Sequence, residues 1–282
     1  MTEGNLPTPD DASGKRRRRL LARKRLYQRF WGGRTANETP VVVFLTGNPD
    51  IGRGYIVDAF ERNFETDVYR SDDARAFSNG ELKSEEALRR LIGRSRAPAM
   101  VFVASHDAQA VGGLVEHFSP ARALWFFQDY RRFIERAKQS GDLPAAREYL
   151  HELSQADAEY AGGRLAIPDD VAALLSQQSL TEDTVWGLVW YTLHARFRSQ
   201  KLDRSHQVHL VSEDDLLAAP QAVMNCLFEM VGIATMGHQL KRRVKTPRRS
   251  RQALELPGAL QQACDELLDW LKTHSVDASE HS

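Results

Sequence analysis

A chain of 282 residues with 42% hydrophobic and 27% charged side chains can bury one large core or two small ones, which excludes a fibrous or wholly disordered protein. Lysine plus arginine and aspartate plus glutamate each number 38, so no overall field marks the chain for nucleic acid or membrane. Two cysteines, Cys226 and Cys264, stand where helical patterns want apolar residues, which suits buried thiols in a reducing compartment better than a disulfide framework.

Residues 1–14 carry Pro, Asp, Thr, Ser and Gly without periodicity and are expected as a loose tail. From Lys15 to Arg29 nine of fifteen residues are basic, while Leu20, Leu26, Tyr27, Phe30 and Trp31 gather on one helical arc. Such a basic amphipathic helix has two readings. It contacts an anionic partner (lipid, nucleic acid or an acidic protein), or its aromatic stripe docks on its own domain with the arginines solvated, which is the expectation for most charge runs. No run approaches the roughly 18 apolar residues of a membrane-spanning helix and no signal-peptide core is present, so a soluble, cytoplasmic protein is expected.

Next comes Val41-Val42-Val43-Phe44-Leu45, a β-branched run that suits a strand buried on both faces. Further apolar runs at 99–103, 123–127 and 208–211 alternate with helical patterns at 84–94 and 109–117. Helices are also expected at 144–158, 184–198, 220–231 with Gly232 as C-cap, and 260–273. Strands alternating with helices predict an α/β fold of three layers: a mostly parallel central sheet with helices on both faces and a helix-rich C-terminal half. The tail and basic helix fill residues 1–38, one domain fills 39–275, and 276–282 form a second tail. Trp125, Phe126, Phe127, Trp186 and Trp190 are expected in the core.

The first strand runs into Gly47-Asn48-Pro49-Asp50-Ile51-Gly52-Arg53-Gly54, after which Tyr55, Ile56, Ala59 and Phe60 keep helical spacing. Strand, glycine-rich turn, helix is the order in which backbone N–H groups and a helix N-terminus wrap a phosphate. A nucleoside triphosphatase loop would place Lys at 53 and Ser or Thr at 54, the latter to hold magnesium. Here Arg53 and Gly54 stand there, so a phosphate loop working without metal is expected.

In this order of motifs the chain resembles the P-loop sulfotransferases, whose loop reads Gly-x-Pro-Arg/Lys-Ser-Gly-Thr-Thr; Gly47, Pro49 and Gly52 match in register. The similarity continues through Arg94 to Val103, through His117 to Arg131, to Leu188-Val189-Trp190-Tyr191, and to Leu210 through Pro220. It implies a donor substrate, 3′-phosphoadenosine 5′-phosphosulfate, held by residues 47–55 at its 5′ end, and an acceptor that is a small molecule or glycan. The family's 3′-phosphate arginine and serine fall at Gln128 and near Arg136. Arg131, Arg132, Arg136 and the basic stretch containing Arg248 and Arg249 are the candidates to supply the missing charge. His106 matches the family's catalytic base, with Asp107 to orient it, and His194 is a second candidate.

Three departures weigh against catalysis: Asp50 where the family has a base, Gln128 where it has arginine, and Ala104 where it has lysine. Two readings therefore stay open beside a magnesium-dependent kinase: an active sulfotransferase, and a silent domain of the same fold that binds or regulates a partner. Asp214 and Asp215 are expected to cap the helix that follows them.

Overall fold

The computed structural model describes residues 9–32, 34, 38–47, 53–104, 111–155, 167–175, 177, 179–235 and 254–275. Five parallel strands form the sheet: β1 (Val41–Gly47), β2 (Thr66–Tyr69), β5 (Ala99–Val103), β6 (Ala121–Phe127) and β7 (Val208–Ser212). Their order is β2-β5-β1-β6-β7. A separate two-stranded hairpin pairs β3 (Phe77–Ser78) with β4 (Glu81–Leu82).

The apolar runs explain the middle of this sheet. β1 sits between β5 and β6, with Phe44 beside both Phe102 and Ala123 in register. A strand with neighbours on both edges and helices on both faces has no polar side to spare, hence the unbroken run of Val, Phe and Leu. Alternation divides the side chains between two cores. Val42, Phe44, Met100, Phe102, Ala123, Trp125 and Phe127 face one layer, and Val43, Leu45, Val101, Val103, Leu124 and Phe126 face the other.

The first layer holds α3 (Glu85–Arg94), α4 (Val111–His117), α5 (Tyr130–Ser140), α6 (Leu143–Gln155), α7 (Asp169–Leu175), α8 (Glu182–Ser199) and α11 (Gly258–Thr273). Its centre is α8, most of whose residues are buried on every side. Thr181 caps α8 by accepting from Thr184 N, Glu182 and Asp183 stand in its first turn, and Arg196 and Arg198 in its last, all as the helix dipole favours. The second layer is thinner, with α2 (Arg53–Arg62), α9 (Glu213–Ala218) and α10 (Pro220–Val231). Gly232 ends α10 in the left-handed conformation, as its position predicts.

Both cysteines are buried free thiols, and the tryptophans expected in the core lie there. Among the described residues no helix is long and apolar enough to cross a membrane.

Four expectations need correction. β2 is an additional strand at the sheet edge, hidden in the sequence because Asp67 interrupts Thr66, Val68 and Tyr69. Residues 9–14 belong to α1 (Pro9–Phe30) rather than to a loose tail. Ser212, not the aspartate pair, caps α9, its hydroxyl accepting from Asp215 N.

The fourth correction concerns how α1 docks. Its polar side is the buried one: Lys24, 1% exposed, donates from Nζ to Glu61 O at 3.0 Å, and Gln28 Nε2 donates to Phe64 O at 3.0 Å and Asp67 Oδ1 at 3.3 Å. Tyr27 packs on Phe64 at 5.4 Å between ring centroids. Burial lowers the Lys24 ammonium to about 8, with the nearby Asp67 and Glu61 carboxylates opposing the drop. Leu26, Phe30 and Trp31, by contrast, are exposed.

Candidate functional site

The strand order sets the site. In an open parallel sheet, ligands enter at the carboxyl ends where neighbouring connections diverge: α2, leaving β1, lies in the second layer, while α4, leaving the adjacent β5, lies in the first. β1 ends at Gly47 and α2 begins at Arg53, so the glycine-rich segment opens at the centre of the sheet.

Gly47 shows what the sequence order requires there. Its φ is +83°, and a Cβ at this position would lie 2.4 Å from Phe126 O and 2.8 Å from Phe126 N. Only glycine lets the chain leave β1 at this angle against the backbone of β6. Gly54, in contrast, has no described atom within 4 Å of a would-be Cβ and is exposed in the first turn of α2. Tyr55 is half-buried on the same turn. Asn48, Pro49, Asp50, Ile51 and Gly52 lie outside the described residues, as do Ser105, His106, Asp107, Arg248, Arg249 and the Arg53 side chain.

The opposite wall is built by the ends of β6 and β7. Gln128 follows β6 and is buried; its carbonyl accepts from Trp190 Nε1 at 3.0 Å, and its Oε1 lies 3.5 Å from Arg136 Nη1. The residues expected at the family's 3′-phosphate positions, Gln128 and Arg136, are thus side by side. Arg136 Nη2 also stands 3.7 Å from Glu213 Oε1, at the start of α9. Arg132, one turn earlier in α5, pairs with Asp214.

Glu213 is 4% exposed, and among the described residues neither carboxylate oxygen has a hydrogen-bond partner. At 3.7 Å the Arg136 contact is an ion pair without a hydrogen bond. Burial pushes the Glu213 carboxyl up to about 7, against the pull of Arg136 and Arg132.

Arg131 takes no part in this wall. Its guanidinium reaches Asp265 of α11 at 2.6 Å and stacks over Tyr130, whose hydroxyl donates to the same carboxylate at 3.1 Å. Asp129 caps α5 by accepting from Arg131 N at 2.8 Å, so the Gln128-Asp129-Tyr130-Arg131 sequence both ends a strand and ties α5 to α11.

The second candidate base is also reassigned by its surroundings. His194 is wholly buried on α8, and its Nδ1 accepts from Trp125 Nε1 at 3.0 Å. The rings of Trp125, Phe127 and Trp190 surround it, and burial lowers it to about 3. A neutral imidazole held in this way is a core residue and cannot meet an acceptor hydroxyl. Beside it, on the same sheet face, Trp125 is the register neighbour of Thr46, whose buried hydroxyl has no partner among the described residues. Ala104 is buried, with its N–H donating to Leu45 O at 2.9 Å, and its methyl carries no charge to the strand end.

A separate cavity of about 550 Å³ lies on a neighbouring face of α8, between α7 and α11, lined by Pro168, Tyr191, Arg198, Lys201 and Glu266 among others. It does not include the strand ends.

No family model matches the chain, and no curated protein matches it. Among solved structures, a sulfotransferase from Alicyclobacillus acidocaldarius aligns over 82% of this chain and 91% of its own, with a TM-score of 0.41 and 13% identity. The sulfotransferase domain from the curacin biosynthetic pathway aligns over 82% and 99%, with a TM-score of 0.47 and 11% identity. These likenesses bear on the fold alone; the chemistry of the site rests on the residues described above.

Proposed function

We propose that the crevice at the carboxyl ends of β1, β5 and β6 binds a 3′-phosphoadenosine nucleotide without metal, and that the protein is a sulfotransferase-like enzyme acting on a hydroxyl or amine of a carbohydrate or small metabolite. The observation that carries the reading is Gly47. A left-handed glycine pressed on the β6 backbone, at the end of the central strand and before a helix, is the geometry by which a chain turns backbone N–H groups toward a phosphate.

The residues fit such a ligand unevenly. Backbone between Gly47 and Gly54, together with the Arg53 guanidinium, would hold the 5′ end. Gln128 and Arg136 would hold the 3′-phosphate, Arg136 supplying the charge that Gln128 lacks. The bound donor would supply an activated sulfuryl group. His106 would take the proton from the attacking hydroxyl or amine as its oxygen or nitrogen bonds to sulfur, and the nucleotide would leave as the bisphosphate. Two buried free thiols accord with a cytoplasmic setting.

Glu213 favours a second reading, a silent domain that binds a partner. Each described arginine at the ends of β6 and α5 already faces a carboxylate: Arg131 with Asp265, Arg132 with Asp214, Arg136 with Glu213. A 3′-phosphate would have to draw Arg136 from that ion pair.

Calorimetric titration with 3′-phosphoadenosine 5′-phosphate in EDTA, beside an Arg53→Ala variant, tests the reading. Micromolar binding that the variant loses supports it. Absence of binding at millimolar nucleotide leaves the silent domain, and binding of ATP only with magnesium replaces both with a kinase.

A further inference from the structure

The outward side of α1 carries a surface that the core does not use. Arg19, Ala22, Arg23, Leu26, Arg29 and Phe30 recur at spacings of three and four, so they share one helical arc, and all six are exposed. Trp31 follows at the helix end. Leu26 is 53%, Phe30 61% and Trp31 74% exposed; these are the large apolar side chains that stand out among the described residues. Phe30 and Trp31 touch edge to face at 5.7 Å, and the Arg29 guanidinium lies 5.4 Å from the Phe30 ring centroid. They form one knuckle rather than scattered surface residues.

The opposite side of the helix is fixed. Lys24 and Gln28 fasten it to the α2–β2 corner through Glu61, Phe64 and Asp67. The outward arc therefore cannot roll inward to bury its apolar residues without breaking buried hydrogen bonds, and no described residue of the chain covers Leu26, Phe30 or Trp31.

We propose that this arc docks on an anionic lipid surface, with Leu26, Phe30 and Trp31 entering the headgroup boundary and Arg19, Arg23 and Arg29 meeting lipid phosphates. Charge complementarity selects this occupant. A second copy of the chain would bring two sets of arginines face to face. A nucleic acid would satisfy the arginines but give the aliphatic Leu26 side chain no hydrocarbon. A bilayer interface accepts both halves of the pattern, because tryptophan settles at the headgroup level while arginine stems lie along apolar surface with their heads among phosphates. The α/β domain would then rest on the membrane by the corner of its β2 edge, without crossing it.

Sedimentation of the full chain with vesicles tests this. One set is phosphatidylcholine alone; the other contains about one-third phosphatidylserine, a surface negative enough to attract basic segments. Binding is expected to the anionic vesicles only, to weaken with salt, and to blue-shift the fluorescence of Trp31, the sole exposed tryptophan. The double variant Leu26→Ser, Phe30→Ser and the triple variant Arg19→Gln, Arg23→Gln, Arg29→Gln should each weaken binding at least about tenfold. All five positions are exposed, so circular dichroism should be unchanged. The proposal is overturned by no binding to anionic vesicles, by binding that the serine pair leaves intact, or by a preference for duplex RNA over vesicles in direct competition.

Discussion

The two walls of the crevice are made by different means. On the β1 side the described positions are glycines: Gly47 turns where no side chain fits, and Gly54 has no described atom near a would-be Cβ. On the β6–β7 side it relies on charge, but charge already answered from within, with Arg132 on Asp214 and Arg136 on the buried Glu213. A backbone wall is always ready for an anion, whereas a wall of internal ion pairs must give one up first. Affinity for a two-ended ligand such as a bisphosphate nucleotide should therefore be set mainly by how firmly Glu213 holds Arg136.

The largest effect should come from Gly47→Ala. A residue with a Cβ at φ +83° costs about 1–2 kcal/mol, and pressing it on the Phe126 backbone about 1–3 more, so urea unfolding should report a loss of roughly 2–5 kcal/mol. A variant as stable as the parent would break the contrast at its first term, since the turn would then not be dictated by close packing.

Next is Glu213→Gln. The Glu213 carboxyl lies at about 7 in the folded chain against 4.5 for the unperturbed group, so between those values the folded state keeps a proton that the unfolded state has released. Stability from this group is thus full below about pH 4.5 and falls as pH rises through 7. His194 acts in the opposite sense. Lowered to about 3 from 6.5, it makes stability rise with pH across that interval, because the unfolded chain takes up the proton first. Where the windows overlap the slopes oppose; between about pH 6.5 and 7 the Glu213 decline dominates, and from about pH 8 the lowered Lys24 ammonium makes stability rise again. The unfolding free energy of Glu213→Gln should lose that decline and lie roughly 2–3 kcal/mol above the parent's at pH 8. An unchanged profile would mean that Glu213 is ionised at little cost and that the charged wall is not strained.

The smallest effect belongs to Gly54→Ala, which should gain about 0.5–1 kcal/mol in the same unfolding experiment, as an exposed helical position with open space around it. Opposite signs at Gly47 and Gly54 would sharpen the picture of one glycine required by geometry and one placed only where a side chain is not needed.

The backbone wall was far more legible in the sequence than the charged one. Continuous apolar runs announced β1, β5, β6 and β7 because strands buried on both faces have no polar alternation to blur them. Glycine spacing after β1 then marked the turn. β2 escaped because Asp67 faces α1 and spoils the pattern, accepting from Gln28 across the docked helix. The helix α5 escaped too, although Asp129 ahead of an amphipathic stretch is an N-cap signal that could have found it. The meeting of Gln128, Arg136 and Glu213 depends on β6 and β7 being neighbours, a fact of tertiary pairing that no local pattern carries. Arg131 and Arg136 likewise read alike as basic residues of one segment. Only the fold sends the first to Asp265 and the second to the crevice.

The most direct measurement is titration of the parent and Glu213→Gln with 3′-phosphoadenosine 5′-phosphate at pH 6 and pH 8, in EDTA. The account predicts that the parent binds more tightly at pH 6, where Glu213 is protonated and its ionic hold on Arg136 is lost, and that Glu213→Gln binds tightly at both. Failure of both proteins to bind at either pH would contradict it, since neither wall would then be holding phosphate.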